Sequence, residues 1–102
     1  MNDIRLEALA SVKRILIKVG SAVLTGKDGL DLKVIAHLVS QMCDLTRRGF
    51  SIVLVSSGAI ASGKHRLGIS GTLKSIPEKQ AAAAIGQGRL MRVYSKAFEK
   101  NN

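Results

Sequence analysis

Residues 51–65 read SIVLVSSGAIASGKH, a strand-type apolar run that passes through a glycine turn into a helix-compatible segment. The spacing Gly58-x-x-x-x-Gly63-Lys64 is that of a P-loop, whose backbone N–H groups cradle phosphates. However, His65 stands where a P-loop needs the hydroxyl of Ser or Thr, and the residues between the glycines, AIAS, favour a helix. We therefore predict that Gly58 opens a helix and that Lys64 is an ordinary solvated lysine well along it.

A second strand-type run lies upstream. Residues 14–19, RILIKV, are rich in Ile and Val, and Asp31 and Gly49 suit the N-cap and the left-handed stop of a helix over 32–48. With the strand at 51–55, this pattern predicts a parallel βαβ unit with a right-handed crossover. Because both strands are almost continuously apolar, we expect both faces of the sheet to be covered.

Two further helices are predicted downstream, over residues 59–67 and 76–100. The longer one starts at a capping box, Ser75-x-x-Glu78. The fold class is therefore α/β.

The long helix carries two glycines in its middle, Gly86 and Gly88. Each costs about 1 kcal/mol relative to alanine, which suggests that another backbone approaches closely there. Four side chains are expected to share the apolar stripe of this helix: Ala84, Met91, Tyr94 and Phe98.

Composition bounds the architecture and the compartment. The chain has 102 residues, of which 46% are hydrophobic, and this is typical of one globular domain at most. No apolar run approaches the ~20 residues of a membrane span, and charged residues interrupt the N-terminal segment. We therefore expect a cytoplasmic protein with no membrane partner.

Soft metal ligands are scarce. Cys43 is the single cysteine, so an internal disulfide is excluded, and we expect it to be a small buried residue on a helix. Neither His37 nor His65 fits a zinc-ligand spacing, and no protein metal site is expected.

The formal net charge is +9, from 16 Lys and Arg against 7 Asp and Glu. Such an excess suits nucleic acid, an anionic membrane or phosphate-bearing small molecules. The basic residues are dispersed, and few aromatic side chains are available to stack on bases, so we do not expect a nucleic-acid partner.

The turns after the two strands are candidate anion sites. Residues 18–21, KVGS, and 56–59, SSGA, each combine glycine with a small polar residue. In an open parallel sheet, ligands bind beyond the carboxyl ends of the strands, where glycine lets backbone N–H groups approach an anion. Two interpretations of Lys18 remain open: a lysine that snorkels out at a strand end, or a point charge on transferring phosphate oxygens. By itself, Ser57 before a helix is more typical of an N-cap than of a substrate contact.

Three blocks carry a resemblance to a known family: IKVGSAVLT (17–25), VLVSSGAIASGKHRLG (53–68) and KQAAAAIGQGRLM (79–91). In this order and spacing they resemble the amino acid kinase family, over about residues 13–98. The resemblance implies a three-layer αβα fold, of which this chain would be an incomplete, N-terminal part of a single domain, with residues 1–12 as an extension.

The second and third blocks are most similar to members that phosphorylate glutamate. The resemblance therefore implies transfer of the γ-phosphate of ATP to the side-chain carboxylate of L-glutamate, the first step of proline biosynthesis. Mg²⁺ would be held mainly through the nucleotide phosphates, and a homo-oligomer is compatible with the family. Carried onto matching positions, Lys18 would be catalytic and would contact the ATP phosphates, and Gly20 and Ser21 would line the ATP site. Ser57, Gly58 and Ala59 would form the glutamate pocket.

This chemistry needs no general base, because a carboxylate is already ionised at neutral pH. A hydrolase is not supported, since nothing in the sequence pairs a nucleophile with a base. Kinase domains of the family are more than twice as long as this chain. In the family, the part of the domain that this chain does not match supplies the adenine pocket and a second phosphate-contacting lysine. We therefore expect the 102 residues alone to lack kinase activity. The alternative is a non-catalytic binding or regulatory remnant of an amino acid kinase.

Overall fold

A computed structural model describes residues 3–27 and 29–101. The elements follow in the order α1 (Ile4–Leu9), β1 (Arg14–Val19), α2 (Ser21–Leu24), β2 (Thr25–Gly26), β3 (Gly29–Leu30), α3 (Leu32–Arg47), β4 (Ser51–Ser56), α4 (Ala59–Leu67) and α5 (Ile76–Lys100). The predicted strands and helices are confirmed to within one residue at each end. In addition, the sequence did not predict α1, α2 or the short β2–β3 pair. Within the described ranges, no helix is long and apolar enough to cross a membrane.

The main sheet consists of β1 and β4, which pair in parallel from Arg14 opposite Ser51 to Val19 opposite Ser56. One face of this sheet packs against α3 and α5 and joins the hydrophobic core. The other face is exposed: Leu16 is 61% and Val55 47% accessible to solvent. The expectation that both faces are covered is therefore wrong for the described residues, because both covering helices lie on the same side.

Helix α3 is capped at both ends as predicted. The Asp31 carboxylate accepts hydrogen bonds from two first-turn N–H groups at 3.1 and 3.2 Å. At the other end Gly49 has φ +98°, the Phe50 N–H donates to the Leu45 carbonyl, and the Gly49 N–H donates to the Thr46 carbonyl. This pair of bonds is a Schellman motif, which turns the chain directly into β4.

Helices α4 and α5 cross with their backbones in contact. A Cβ atom built on Gly86 would lie 1.6 Å from the carbonyl oxygen of Ala59, and one built on Gly63 would lie 1.8 Å from that of Ala82. Two glycines, one on each helix, therefore permit the crossing. By contrast, a Cβ atom on Gly88 would meet only the tip of an arginine side chain at 3.6 Å. The predicted close approach is confirmed for Gly86 and is wrong for Gly88.

The crossing also sets which side of α5 is buried. The buried residues are Ala82, Gly86, Leu90, Tyr94 and Ala97. Of the predicted stripe, only Tyr94 is buried, while Ala84, Met91 and Phe98 are exposed. Contact with α4 through glycine and alanine rotates the larger side chains outward. Met91 and Phe98 instead line an open groove of about 510 Å³ between α5 and β4.

The predicted N-cap of α5 is confirmed: the Ser75 hydroxyl accepts from the Glu78 N–H at 3.2 Å. The Glu78 carboxylate accepts from the Ser75 hydroxyl at 2.8 Å, so the return bond of the predicted capping box goes to the side chain of Ser75 in place of its backbone N–H.

Candidate active site at the carboxyl ends of the strands

The structure brings the two glycine turns side by side. Val19 and Ser56 are paired at the ends of β1 and β4. One step further, the Ser57 N–H donates to the Val19 carbonyl at 2.8 Å. Both turns therefore lie at one rim of the sheet, the rim at which ligands bind in open parallel folds.

Lys18 lies on the exposed face of β1, directly beside Val55 in the parallel register. Val55 lies on β4, two residues before Ser57. Lys18 is therefore on the strand that pairs with β4, close to the second turn in the register of the sheet. Exposure alone fits both interpretations of Lys18, a snorkelling lysine and a phosphate contact.

Gly20 and Ser21 form the start of the short helix α2, and both are exposed. A Cβ atom built on Gly20 would meet nothing within 4 Å. No close neighbour among the described residues therefore requires a glycine at this position. The lack of a side chain leaves the Gly20 backbone accessible to a ligand.

Gly58 forms the second turn. It has φ +108° and ψ −6°, a left-handed conformation that L side chains rarely adopt, and it is the N-cap of α4. A Cβ atom built here would lie 3.6 Å from methyl groups of both Leu24 and Leu30. These leucines belong to the segment that follows the first turn, so the second turn lies beside that segment. Ser57 is exposed, and Ala59 is half-buried as the first residue of α4.

The sequence did not predict a hydrogen-bonded pair behind the second turn. The Ser56 hydroxyl donates to the Ser57 carbonyl at 2.9 Å and also lies 2.7 Å from the Tyr94 hydroxyl. The apolar stripe of α5 predicts only that the Tyr94 ring is buried, but a buried tyrosine usually finds a partner for its hydroxyl. That rule is the signal that could have found this pair.

The P-loop interpretation is excluded by the position of α4. Gly63 and Lys64 lie inside this helix, as predicted. Lys64 is half-buried, and its ammonium donates to the Gly71 carbonyl at the surface. Its ammonium ties down the loop after α4 instead of reaching the turns. The neighbouring His65 packs over Gly29, where a Cβ atom would come within 2.8 Å of the ring.

The two turns hold no cluster of ionisable groups. Among the residues that the structure describes, no group of three or more His, Cys, Asp or Glu could hold a metal ion. Cys43 is half-buried and packs against the core. Outside the turns, hydrogen bonds from the Arg5 side chain and backbone lower the pKa of the Asp3 carboxyl below its usual range. A ligand in the turns would therefore meet backbone N–H groups, hydroxyls and the charge of Lys18.

Comparison with known proteins places the chain in a family. Residues 13–102 match the amino acid kinase family, and the chain belongs to it. Its relatives include glutamate 5-kinases: that of Syntrophus aciditrophicus is 68% identical over 101 residues, which are 99% of this chain and 26% of that enzyme. The Clostridium tetani enzyme is 56% identical over 95 residues, 92% of this chain and 36% of the relative. The Geobacter sulfurreducens enzyme is 52% identical over 92 residues, 89% of this chain and 25% of the relative. The chain thus spans about a quarter to a third of the length of these curated relatives.

Proposed function

We propose that this chain is the N-terminal part of a single amino acid kinase domain that transfers the γ-phosphate of ATP to the side-chain carboxylate of L-glutamate. The reaction would be the first step of proline biosynthesis, in the cytoplasm. The observation that carries the proposal is the adjacency of the two glycine turns, in a chain 68% identical to a glutamate 5-kinase over 101 residues.

The roles of the residues follow from charge and position. A carboxylate oxygen of glutamate attacks the γ-phosphorus, and the bond from that phosphorus to the bridging oxygen of ADP breaks. Two anions must approach each other, so the site needs positive charge and fixed donors more than it needs a base. Lys18 supplies positive charge that offsets the negative charge of the ATP phosphates. The exposed backbone of Gly20 and Ser21 lines the same site.

The glutamate pocket would be Ser57, Gly58 and Ala59. These residues lead into the N-terminus of α4, and helix N-termini attract anions through their unpaired N–H groups and dipole. Mg²⁺, which would neutralise charge on the transferred phosphate, is assigned to the nucleotide phosphates.

The role of Ser57 can be tested in a chimera in which this chain replaces the matching segment of the Syntrophus aciditrophicus enzyme. Ser57→Ala should raise KM for glutamate about tenfold, since one hydrogen bond to a charged group contributes about 1.5 kcal/mol. The KM for ATP should change less than twofold. Ser51→Ala is the matched control, because that exposed serine lies at the opposite end of β4. An unchanged KM for glutamate in Ser57→Ala would count against the assignment.

The 102-residue chain by itself is expected to form no glutamyl phosphate, whereas the chimera should be active. The physical reason is that one lysine and two turns provide no adenine pocket and only part of the positive charge. Trapping the product as its hydroxamate measures both proteins in the same assay. ATP-dependent product from the chain by itself would overturn this expectation.

A non-catalytic binding remnant is the second candidate. It is favoured by the exposed apolar side chains on the open face of the sheet, Leu16, Val53 and Val55, which require a cover. The chimera separates the two functions: a folded but inactive chimera would favour the remnant.

A further inference from the structure

Two hydrogen bonds connect helix α5 to the second turn, and their direction can be assigned. A carbonyl oxygen can only accept, so the single proton of the Ser56 hydroxyl is donated to the Ser57 carbonyl at 2.9 Å. In the other bond, of 2.7 Å, the Tyr94 hydroxyl must then be the donor and Ser56 Oγ the acceptor. The Tyr94 hydroxyl therefore donates to Ser56, and the Ser56 hydroxyl donates to the Ser57 carbonyl. Tyr94, the first donor, is only 5% exposed.

Hydrogen bonds hold two neighbouring peptide planes in the turn. The Ser57 N–H, in the Ser56–Ser57 peptide, donates to the Val19 carbonyl at 2.8 Å, and the Ser57 carbonyl, in the Ser57–Gly58 peptide, accepts from the Ser56 hydroxyl at 2.9 Å. The peptide bonds of the described residues contain no cis form, and in a planar trans peptide the N–H points opposite to the C=O. The bond that holds the Ser57 carbonyl therefore also aims the Gly58 N–H.

Such a restraint is needed because the next residue is glycine. Gly58 has φ +108°, and glycine populates both positive and negative φ readily. Without the bond from Ser56, the Ser57–Gly58 peptide could rotate at low cost, and the N–H would no longer point in one direction. A bound anion would then have to order it, which weakens binding.

We propose that Tyr94 is a positioning residue for the glutamate pocket: through Ser56 it holds the Ser57–Gly58 peptide in one orientation, and with it the turn of Ser57, Gly58 and Ala59 that would bind the carboxylate-bearing substrate. This inference rests on the proposed function. Tyr94 acts through Ser56 and does not itself contact the substrate.

The test is Tyr94→Phe in the chimera, which removes one hydroxyl and keeps the ring and its packing against Phe98, with ring centroids 6.5 Å apart. We expect KM for glutamate to rise about fivefold to tenfold, with KM for ATP within about twofold, for the loss of one buried hydrogen bond. Ser56→Ala should give the same shift. The double variant should be no worse than either single one, because both remove one chain of bonds. Ser95→Ala, which removes an exposed hydroxyl from the next position of α5, should change nothing.

The outcomes separate this inference from the proposed function. If Ser57→Ala raises KM for glutamate but Tyr94→Phe does not, the positioning role fails and the kinase function stands. Equal increases in KM for both substrates with a lowered Tm would make Tyr94 a core residue only, and would also overturn the role. Additive effects of Tyr94→Phe and Ser56→Ala would contradict the shared chain of bonds. A folded chimera without kinase activity would overturn the function and this inference together.

Discussion

Gly86→Ala should lower the free energy of unfolding by about 3 kcal/mol or more. A Cβ atom at this position would lie 1.6 Å from the Ala59 carbonyl oxygen and 2.6 Å from the Gly63 amide nitrogen. Both neighbours are backbone, so no change of rotamer can relieve the overlap, and α4 must move away from α5. Urea denaturation followed by far-UV circular dichroism measures the change.

Gly88→Ala is the matched control, two residues along the same helix. Its Cβ atom would meet only an arginine side-chain nitrogen at 3.6 Å, so alanine should stabilise the chain by about 1 kcal/mol through helix propensity. Opposite signs for the two substitutions would exclude a general effect of alanine in α5. Equal stabilisation by both would show that the helices do not cross at Gly86.

The displacement should also reach the candidate site. Gly58 and Ala59 lead into α4, on the same helix that the new Cβ atom would push away. In the chimera, Gly86→Ala should therefore raise KM for glutamate as well as lower stability. A stable Gly88→Ala chimera should retain the parent value.

Local signals explain why the main elements could be predicted. The β1 and β4 runs, the Asp31 cap, the Gly49 stop and the Ser75 capping box each depend on a few neighbouring residues. Since parallel strands end at the same edge of a sheet, the adjacency of the two turns followed from the order of the elements.

Features that depend on distant residues could not be predicted. The buried side of α5 is set by contact between Gly86 and α4, and counting large apolar residues therefore assigned the wrong stripe. The bond between Ser56 and Tyr94 joins residues 38 apart in the chain. The uncovered face of the sheet still carries Leu16, Val53 and Val55, and only the placement of α3 and α5 shows that these apolar side chains lack a cover among the described residues.

Lys18→Ala in the chimera should lower kcat about a thousandfold, with KM for glutamate changed only a few-fold. The ammonium is assigned to phosphate oxygens whose charge shifts toward ADP as the γ-phosphate is transferred. Its attraction should therefore be strongest in the transition state, which is the condition for an effect on kcat. Steady-state kinetics with each substrate varied in turn provide the measurement, and Lys13→Ala, at the other end of the same strand region, is the control.

Lys18→Met decides between the two interpretations that the sequence left open. Methionine keeps an unbranched apolar side chain of similar length and removes only the charge. If Lys18 merely snorkels from the strand end, methionine should preserve both kcat and stability. If the ammonium neutralises phosphate charge, methionine should be as inactive as alanine, while the free energy of unfolding stays near that of the parent. A rise in KM for ATP with kcat unchanged would instead assign the lysine to ground-state binding, and the transition-state role would be lost.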